Sequence, residues 1–264
     1  MDFGGIFFYT DFMALSWAVK KQIRFFSAFA AAVLLILAGI IYFVRQDPTC
    51  FDKRQNQDEE GIDCGGADCL PCSNQIRDIN ILWTRPFRIA DGVYDFAALT
   101  ENNNSFLKAA KMDYFVKFYD SDNILIAIKQ NSTFAGAGEK FVIFEPGIVT
   151  QHRVPTRAIL EIASVNWDKG GKIPLKLDVL STNRFLGASS TPPRVEAIIK
   201  NQLNAEYRNI EATAVLWDAG DTALGVSRTF VDRFDIDEIK TLTFTWPTGI
   251  NGVSRVEIFF RQMP

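Results

Sequence analysis

The longest apolar stretch of the chain runs from Phe25 to Val44 and carries no charged residue. At about 1.5 Å per residue, a helix of this length spans a hydrocarbon core about 30 Å thick. A secretory signal peptide has a shorter apolar region and small residues at its cleavage site, whereas this stretch ends on the bulky residues Tyr42 and Phe43. A buried core helix of this length normally keeps a polar face. The pattern therefore predicts an uncleaved transmembrane helix over residues 25–44.

The charges beside this stretch predict its orientation. Lys20, Lys21 and Arg24 lie just before it, and Arg45 is the only basic residue close behind it. Because basic residues stay on the cytoplasmic side, residues 1–24 are expected to be a cytoplasmic N-terminal segment and the remainder to be extracytoplasmic. Met1 and Met13 are both plausible start sites, and the sequence leaves that choice open.

Beyond residue 75 the pattern changes to short runs rich in Phe, Ile, Val, Tyr and Thr, separated by Asn, Asp, Gly and Pro. Such runs are typical of strands joined by turns. In Lys111–Tyr119 charged and apolar residues are interleaved, as in a strand with one face exposed to solvent. The sequence predicts an all-β region.

Four sequence blocks recur in the same order at offsets of 97 to 102 residues. The block pairs are Val93–Phe96 with Val195–Ile198, Phe118–Asp120 with Leu216–Asp218, Phe141–Phe144 with Leu242–Thr245, and Arg157–Ile162 with Ser254–Phe259. This repeat predicts two tandem immunoglobulin-like β-sandwich domains, at 76–166 and 174–264. Since the linker 166–174 is short, we expect the domains to lie end to end as a semi-rigid rod.

The repeated blocks resemble the FxLYD-type and LEA-type (water-stress) β-sandwich families, in which an aromatic residue and an Asp follow an Asn-containing turn. The resemblance covers about residues 76–262 and implies an immunoglobulin-like fold without a known catalytic residue. It implies that Tyr119, Asp120, Trp217 and Asp218 determine the fold. Asp120 and Asp218 are each expected to cap a tight turn between two core strands.

All four cysteines lie within the acidic segment 45–75: Cys50, Cys64, Cys69 and Cys72. A zinc site with four cysteine ligands normally shows two short Cys-to-Cys knuckles, and only Cys69 and Cys72 have that spacing. In an oxidising compartment an even number of clustered cysteines indicates disulfides. We therefore expect a small disulfide-bonded neck, with three connectivities open and zinc as the alternative reading.

The acidic residues of the neck leave a second alternative. Asp52, Asp58 and Asp63 offer oxygen ligands for calcium, although EF-hand spacing is absent from the sequence. The segment also resembles a short cysteine-rich motif of bacterial surface and envelope proteins, of the form C-x-D…N-x-x-E…D-C-G-G-x-C-x-x-C. That resemblance covers residues 50–72 and implies no activity.

Charge and composition narrow the function classes. A net charge of −3 supplies no basic field for nucleic acid, so nucleic-acid binding is not expected. His152 is the sole histidine, and the sequence contains no nucleophile elbow, zincin, P-loop or dinucleotide motif. We expect no enzyme activity and no cofactor. The carboxylate pairs Glu139 with Glu145 and Asp232 with Asp235 are the residues on which a less favoured hydrolase would depend.

The sequence thus favours a single-pass protein of the cell membrane that presents a disulfide-bonded neck and two β-sandwiches outside the cytoplasm. Its expected role is binding, scaffolding or envelope structure, with the lipid bilayer around residues 25–44 and protein partners outside the cytoplasm. The alternative is an accessory subunit of a larger membrane complex, in which small residues of the helix such as Ala28, Ala32 and Gly39 let a partner helix approach closely.

Overall fold

The computed structural model describes residues 16–44, 49–56, 58–171, 175–186 and 192–264. The predicted cytoplasmic segment up to residue 15, including both possible start sites, lies outside these ranges. Two compact units are present, one up to Cys69 and one from Leu70 to Pro264.

The described residues of the first unit form an α-helix, α1, at Trp17–Val44. The helix begins after Ser16, whose Oγ accepts a bond from the N–H of Val19, a typical N-cap contact. It starts eight residues before the predicted span, because Lys20, Lys21 and Arg24 continue the helix instead of preceding it. The stretch Trp17–Tyr42 is long and apolar enough to cross a membrane, and its most apolar 18-residue window has a mean hydropathy of 2.4 and is not buried.

Twelve β-strands form among the described residues of the second unit. In the first half these are β1 (Asn80–Ala90), β2 (Val93–Glu101), β3 (Leu107–Tyr119), β4 (Leu125–Ala135), β5 (Lys140–Val149) and β6 (Arg157–Lys169). In the second half they are β7 (Leu177–Phe185), β8 (Arg194–Asn201), β9 (Tyr207–Trp217), β10 (Ala223–Phe234), β11 (Ile239–Thr245) and β12 (Arg255–Gln262). The all-β prediction with one N-terminal helix is confirmed. Strand β6 runs on to Lys169, into the segment predicted as linker.

The strands form four antiparallel three-stranded sheets. The first half has the orders β1-β2-β5 and β4-β3-β6, and the second half has β11-β8-β7 and β10-β9-β12. Adding six to each strand number of the first half gives the second, so both halves share one strand order. In each half two sheets enclose one apolar core, around Phe96, Phe118 and Phe141 in the first and around Ile199, Leu216 and Phe244 in the second.

The two halves pack face to face, which corrects the expected end-to-end rod. Sheet β1-β2-β5 lies against sheet β10-β9-β12 through a third apolar cluster that includes Ala97, Leu99, Val215 and Phe259. The central strands β2 and β9 are therefore buried on both faces along most of their length. The physical reason is the composition of these strands, since apolar residues at both alternating positions leave each half with a second apolar face to cover.

Candidate functional site

The cysteines of the neck form disulfides. Cys50 is bonded to Cys69, which selects one of the three possible connectivities. Cys64 and Cys72 are also disulfide-bonded, and no cysteine is free. The disulfide reading is confirmed, and zinc coordination is overturned because sulfurs in disulfides are not thiolate ligands.

The three aspartates of the calcium alternative accept hydrogen bonds from the neck itself. Asp63 accepts from the backbone N–H of Lys53 at 2.9 and 3.1 Å, and Asp58 accepts from the N–H of Ala67 at 2.7 Å. Asp52 accepts from the N–H of Arg54 and from the side chain of Asn56. Side-chain bonds from Asn56, acting against burial, hold the pKa of Asp52 below its ordinary value. These carboxylates fix the loop between the cysteines and, in the described part of the chain, do not converge on one point.

The predicted fold-determining aspartates occupy equivalent turns. Asp120 Oδ1 accepts the N–H groups two and four residues ahead, at 3.0 and 2.9 Å, and Asp218 Oδ1 does the same at 2.8 Å each. Bonding to the N–H of Ile124 is the main reason that the pKa of Asp120 lies below its ordinary value. Asp120 therefore lies in the turn between β3 and β4, and Asp218 lies in the equivalent turn between β9 and β10.

The aromatic residue next to each of these aspartates is in contact with an arginine. The guanidinium of Arg157 lies 4.9 Å from the ring centre of Tyr119, and that of Arg255 lies 4.6 Å from the ring centre of Trp217. Such contacts stabilise the strand ends through the electron-rich ring face. Trp217 also packs into the cluster between the halves, so it serves the interface as well as its own half.

Two buried asparagines were not singled out as fold-determining from sequence. Asn102 donates to the carbonyls of Leu107 and Gly136 at 2.7 and 2.8 Å, and its Oδ1 accepts the N–H of Asn104. Asn201 repeats this arrangement in the second half, with bonds of 2.8, 2.9 and 3.0 Å. Both side chains are fully buried. The repeat contained the signal, since Asn102 and Asn201 each follow the first matched block of their half within a few residues.

The interface between the halves contains a charged cluster, which we name the arginine cluster and define as the buried Arg261 and Glu211 with the partly buried Glu139 and Arg228. Arg261 is 3% exposed, with Nε 3.3 Å from Oε1 of Glu139 and Nη1 3.8 Å from Oε1 of Glu211. Glu211, itself buried, also pairs with Arg228 at 3.3 Å. Because Glu139 belongs to the first half and the other three to the second, the cluster joins the halves electrostatically.

Hydrogen bonds and ring contacts extend the arginine cluster into the first half. Arg261 donates to Thr133 Oγ1 at 3.3 Å and to the carbonyl of Phe134. Its guanidinium lies 4.2 and 4.4 Å from the ring centres of Phe134 and Phe141. A buried guanidinium needs several such partners to offset its desolvation.

Two cavities lie along the opposite margin of the interface, where β1 approaches β10. The first, of about 340 Å³, is lined by residues of Arg85–Ile89, Ala223–Val226 and Trp246–Thr248. The second, of about 240 Å³, is lined by Trp83, Trp217 and residues of the β9–β10 turn. Arg85 and Ala223 border both cavities, and Arg85 Nη1 donates to the carbonyl of Ala223 at 2.7 Å. We call this margin the β1–β10 seam.

A further cavity of about 570 Å³ lies near the arginine cluster. It is lined by the β4–β5 turn, Gly136–Lys140, and by Ile258–Phe260 of β12. The interface between the halves is thus flanked by recesses on both sides.

The carboxylates on which a hydrolase would depend have structural partners. Glu145 is buried and accepts bonds from Tyr114 at 2.5 Å and Asn131 at 2.7 Å, with Lys129 at 2.8 Å. Burial alone would raise the pKa of Glu145, but the bonds from Lys129, Tyr114 and Asn131 outweigh it and hold the pKa below the ordinary 4.5. Burial, followed by the bond to Glu145, raises the pKa of Tyr114.

The other acids named from sequence are paired with arginine or exposed. Glu139 pairs with Arg261. Glu139 and Glu145 are separated along the extended chain by about 20 Å, at about 3.3 Å per residue. Asp232 is exposed, and Asp235 pairs with Arg233. His152 is exposed in the turn between β5 and β6. The structure does not bring Glu139 and Glu145 together around one reacting atom.

No family model matches the chain, and no curated protein matches it. Among solved structures, a crystal structure of red sea bream transglutaminase is similar over 71% of this chain and 29% of that chain, with 10% identity and a TM-score of 0.20. This chain therefore corresponds to less than a third of that protein. A likeness at this score carries no argument about fold or activity.

Proposed function

We propose that the chain is a membrane-anchored extracytoplasmic binding or scaffold protein without catalytic activity. The observation that carries the proposal is the uncovered apolar helix α1, followed in sequence by a segment whose cysteines are all oxidised. Disulfides persist in oxidising compartments, and basic residues near the start of α1 favour a cytoplasmic N terminus.

The two halves are two copies of one immunoglobulin-like fold in this proposal. Six strands in the orders 1-2-5 and 4-3-6 form two facing sheets in each half. The paired turn aspartates and paired buried asparagines support descent from one repeat. Sandwiches of this kind usually bind through edges and loops.

The shared interface makes the two halves one block, which suits a scaffold. A continuous apolar cluster and a buried charged cluster join them, so relative motion would expose apolar surface and separate buried charges. Partners would therefore meet a surface of fixed geometry.

Labelling in cells tests the topology. A cysteine introduced at the exposed position Ser105 is expected to react with a membrane-impermeant maleimide in intact cells, whereas one at Lys20 should react only after permeabilisation. The reverse pattern would place the sandwiches in the cytoplasm and overturn the proposal. Extraction at alkaline pH should leave the chain in the membrane fraction.

Cross-linking separates the scaffold from the accessory-subunit alternative. The full chain and a variant whose α1 is replaced by an unrelated apolar span are compared as baits in their native membrane. Partners retained by both chains support binding through the sandwiches. Partners lost with the native helix support a subunit that assembles through α1.

A further inference from the structure

We propose that charged side chains on the two outer sheets of the two-half block prevent a second copy of the chain from stacking on it. The first outer sheet is β4-β3-β6 of the first half, and the second outer sheet is β11-β8-β7 of the second half. Neither contributes a residue to the apolar cluster between the halves. The inference goes beyond the proposed function and does not depend on the membrane topology.

The two halves meet through different sheets of the same fold. The sheet of strands one, two and five in the first half packs on the sheet of strands four, three and six in the second half. A contact of this kind between like units is head-to-tail, and it can be repeated without end unless the rotation closes a ring. The first outer sheet is equivalent to the sheet through which the second half docks, and the second outer sheet is equivalent to the sheet that receives it. The geometry alone would therefore let a second copy stack on either outer sheet.

The first outer sheet carries an ion pair where its inner equivalent is apolar. With the turn aspartates of the two halves aligned, Lys117 takes the place of Val215. In the same alignment Glu161 takes the place of Phe259. Val215 is fully buried between the halves, and Phe259 is 9% exposed. Lys117 and Glu161 are instead paired with each other at the surface.

The second outer sheet shows the same kind of replacement. With the two buried asparagines aligned, Glu196 takes the place of Ala97, which is fully buried between the halves. Thr243, which pairs with Glu196 in the sheet, takes the place of Phe144, which pairs with Ala97. Glu196 accepts a bond from Nε of Arg194 at 2.7 Å on the outer surface. Both outer sheets are therefore charged at positions where the inner sheets are apolar.

Stacking on either outer sheet would take an ion pair out of water. Each pair already satisfies its own charges, so an incoming sheet would add a desolvation cost with little new attraction. Charged residues are depleted at the cores of protein interfaces, and terminal units with a polar outer face end the stacks of repeat proteins. The charged pairs therefore limit the stack to two sandwiches.

Variants that give each outer sheet the residues of its inner equivalent test the proposal. Lys117→Val with Glu161→Phe changes the first outer sheet, and Glu196→Ala with Thr243→Phe changes the second. None of these four side chains belongs to the core of its own half, so each double variant should keep the fold. Thermal melts of each variant check this.

Energy transfer between full chains in detergent micelles, labelled with donor or acceptor dye at the N-terminal amine, measures association. A mixture of the two double variants should associate at least about 30-fold more tightly than two wild-type chains, because each supplies one of the two sheets that the contact needs. Either variant alone should stay at the wild-type level. Association through α1 would be equal in every mixture, so the wild-type mixture is the baseline.

A control variant separates stacking from general stickiness. Glu206→Phe with Arg208→Val replaces an exposed ion pair outside both outer sheets by the same types of apolar residue. Mixed with either double variant, this control should remain at the wild-type baseline.

Three outcomes would overturn the proposal. The first is a mixture of the two double variants that associates no more tightly than wild type. The second is self-association of either variant as strong as that of the mixture. The third is wild-type association that is abolished by Ile198→Arg in the second outer sheet, because the outer sheets would then stack in spite of their charges. These measurements use purified protein, so their failure is distinguishable from a failure of the topology experiment in cells.

Discussion

Replacing Arg261 by methionine should weaken the whole two-half block. Methionine keeps much of the apolar volume of the arginine stem, so the change mainly removes the guanidinium. Glu139 and Glu211 then lose a buried cation. Breaking a buried ion pair costs about 3–5 kcal/mol. Because Glu211 keeps Arg228 at 3.3 Å, we expect a loss of about 2–4 kcal/mol in the free energy of unfolding.

Urea unfolding of the full chain in detergent, followed by tryptophan fluorescence, measures this loss. With a slope of about 2 kcal/mol per molar urea, the midpoint should fall by about 1–2 M. The double variant Arg261→Met with Glu139→Gln should be less unstable than the sum of the single variants by about 0.5–3 kcal/mol, because the two residues interact.

The control is Arg208→Met, which removes an exposed arginine that pairs with Glu206 within the second half alone. Its midpoint should stay unchanged, because exposed ion pairs contribute little. A midpoint shift below about 0.3 M for Arg261→Met, or additive single effects, would refute the role assigned to the arginine cluster.

Three further variants test other parts of the block. Asn201→Ala removes three hydrogen bonds of a fully buried side chain, to the carbonyls of Ala205 and Asp235 and from the N–H of Leu203, and should cost about 2–4 kcal/mol of unfolding free energy in denaturant titrations. Gly225→Ala should cost about 1–3 kcal/mol, because the new Cβ overlaps Ile250 at 2.7 Å. Glu145→Gln should make the stability to unfolding less dependent on pH in the acid range. Since the folded pKa of Glu145 is depressed, its stabilisation is present above the ordinary 4.5 and is lost as the pH falls toward the folded value.

Matched controls and contrary outcomes accompany these variants. Asn103→Ala, at an exposed position, and Gly171→Ala, where no atom lies within 4 Å of a new Cβ, should leave stability nearly unchanged. Equal effects of Asn201→Ala and Asn103→Ala would contradict the buried hydrogen-bond account. Thermal melts from pH 7 to pH 3 that show the same slope with and without Glu145→Gln would contradict the pH assignment.

The local structure could be predicted from the sequence. The charge-free stretch Phe25–Val44 predicted a helix, because only an apolar helix of that length satisfies its own backbone in lipid. Alternating residues predicted strands, and the aspartates at 120 and 218 predicted tight turns, because their side chains bond to N–H groups two and four residues ahead. These features depend on contacts within a few residues.

Contacts between residues that are distant in sequence were determined by the tertiary structure. Glu139 and Arg261 are 122 residues apart, and only the stacking of sheet β1-β2-β5 on sheet β10-β9-β12 brings them within 3.3 Å. The same stacking places Trp83 beside Trp217, and the fold of the neck pairs Cys50 with Cys69 out of three possible connectivities. Composition shows that β2 and β9 have two apolar faces, but which surface covers the second face depends on shape and charge across the whole assembly of sheets.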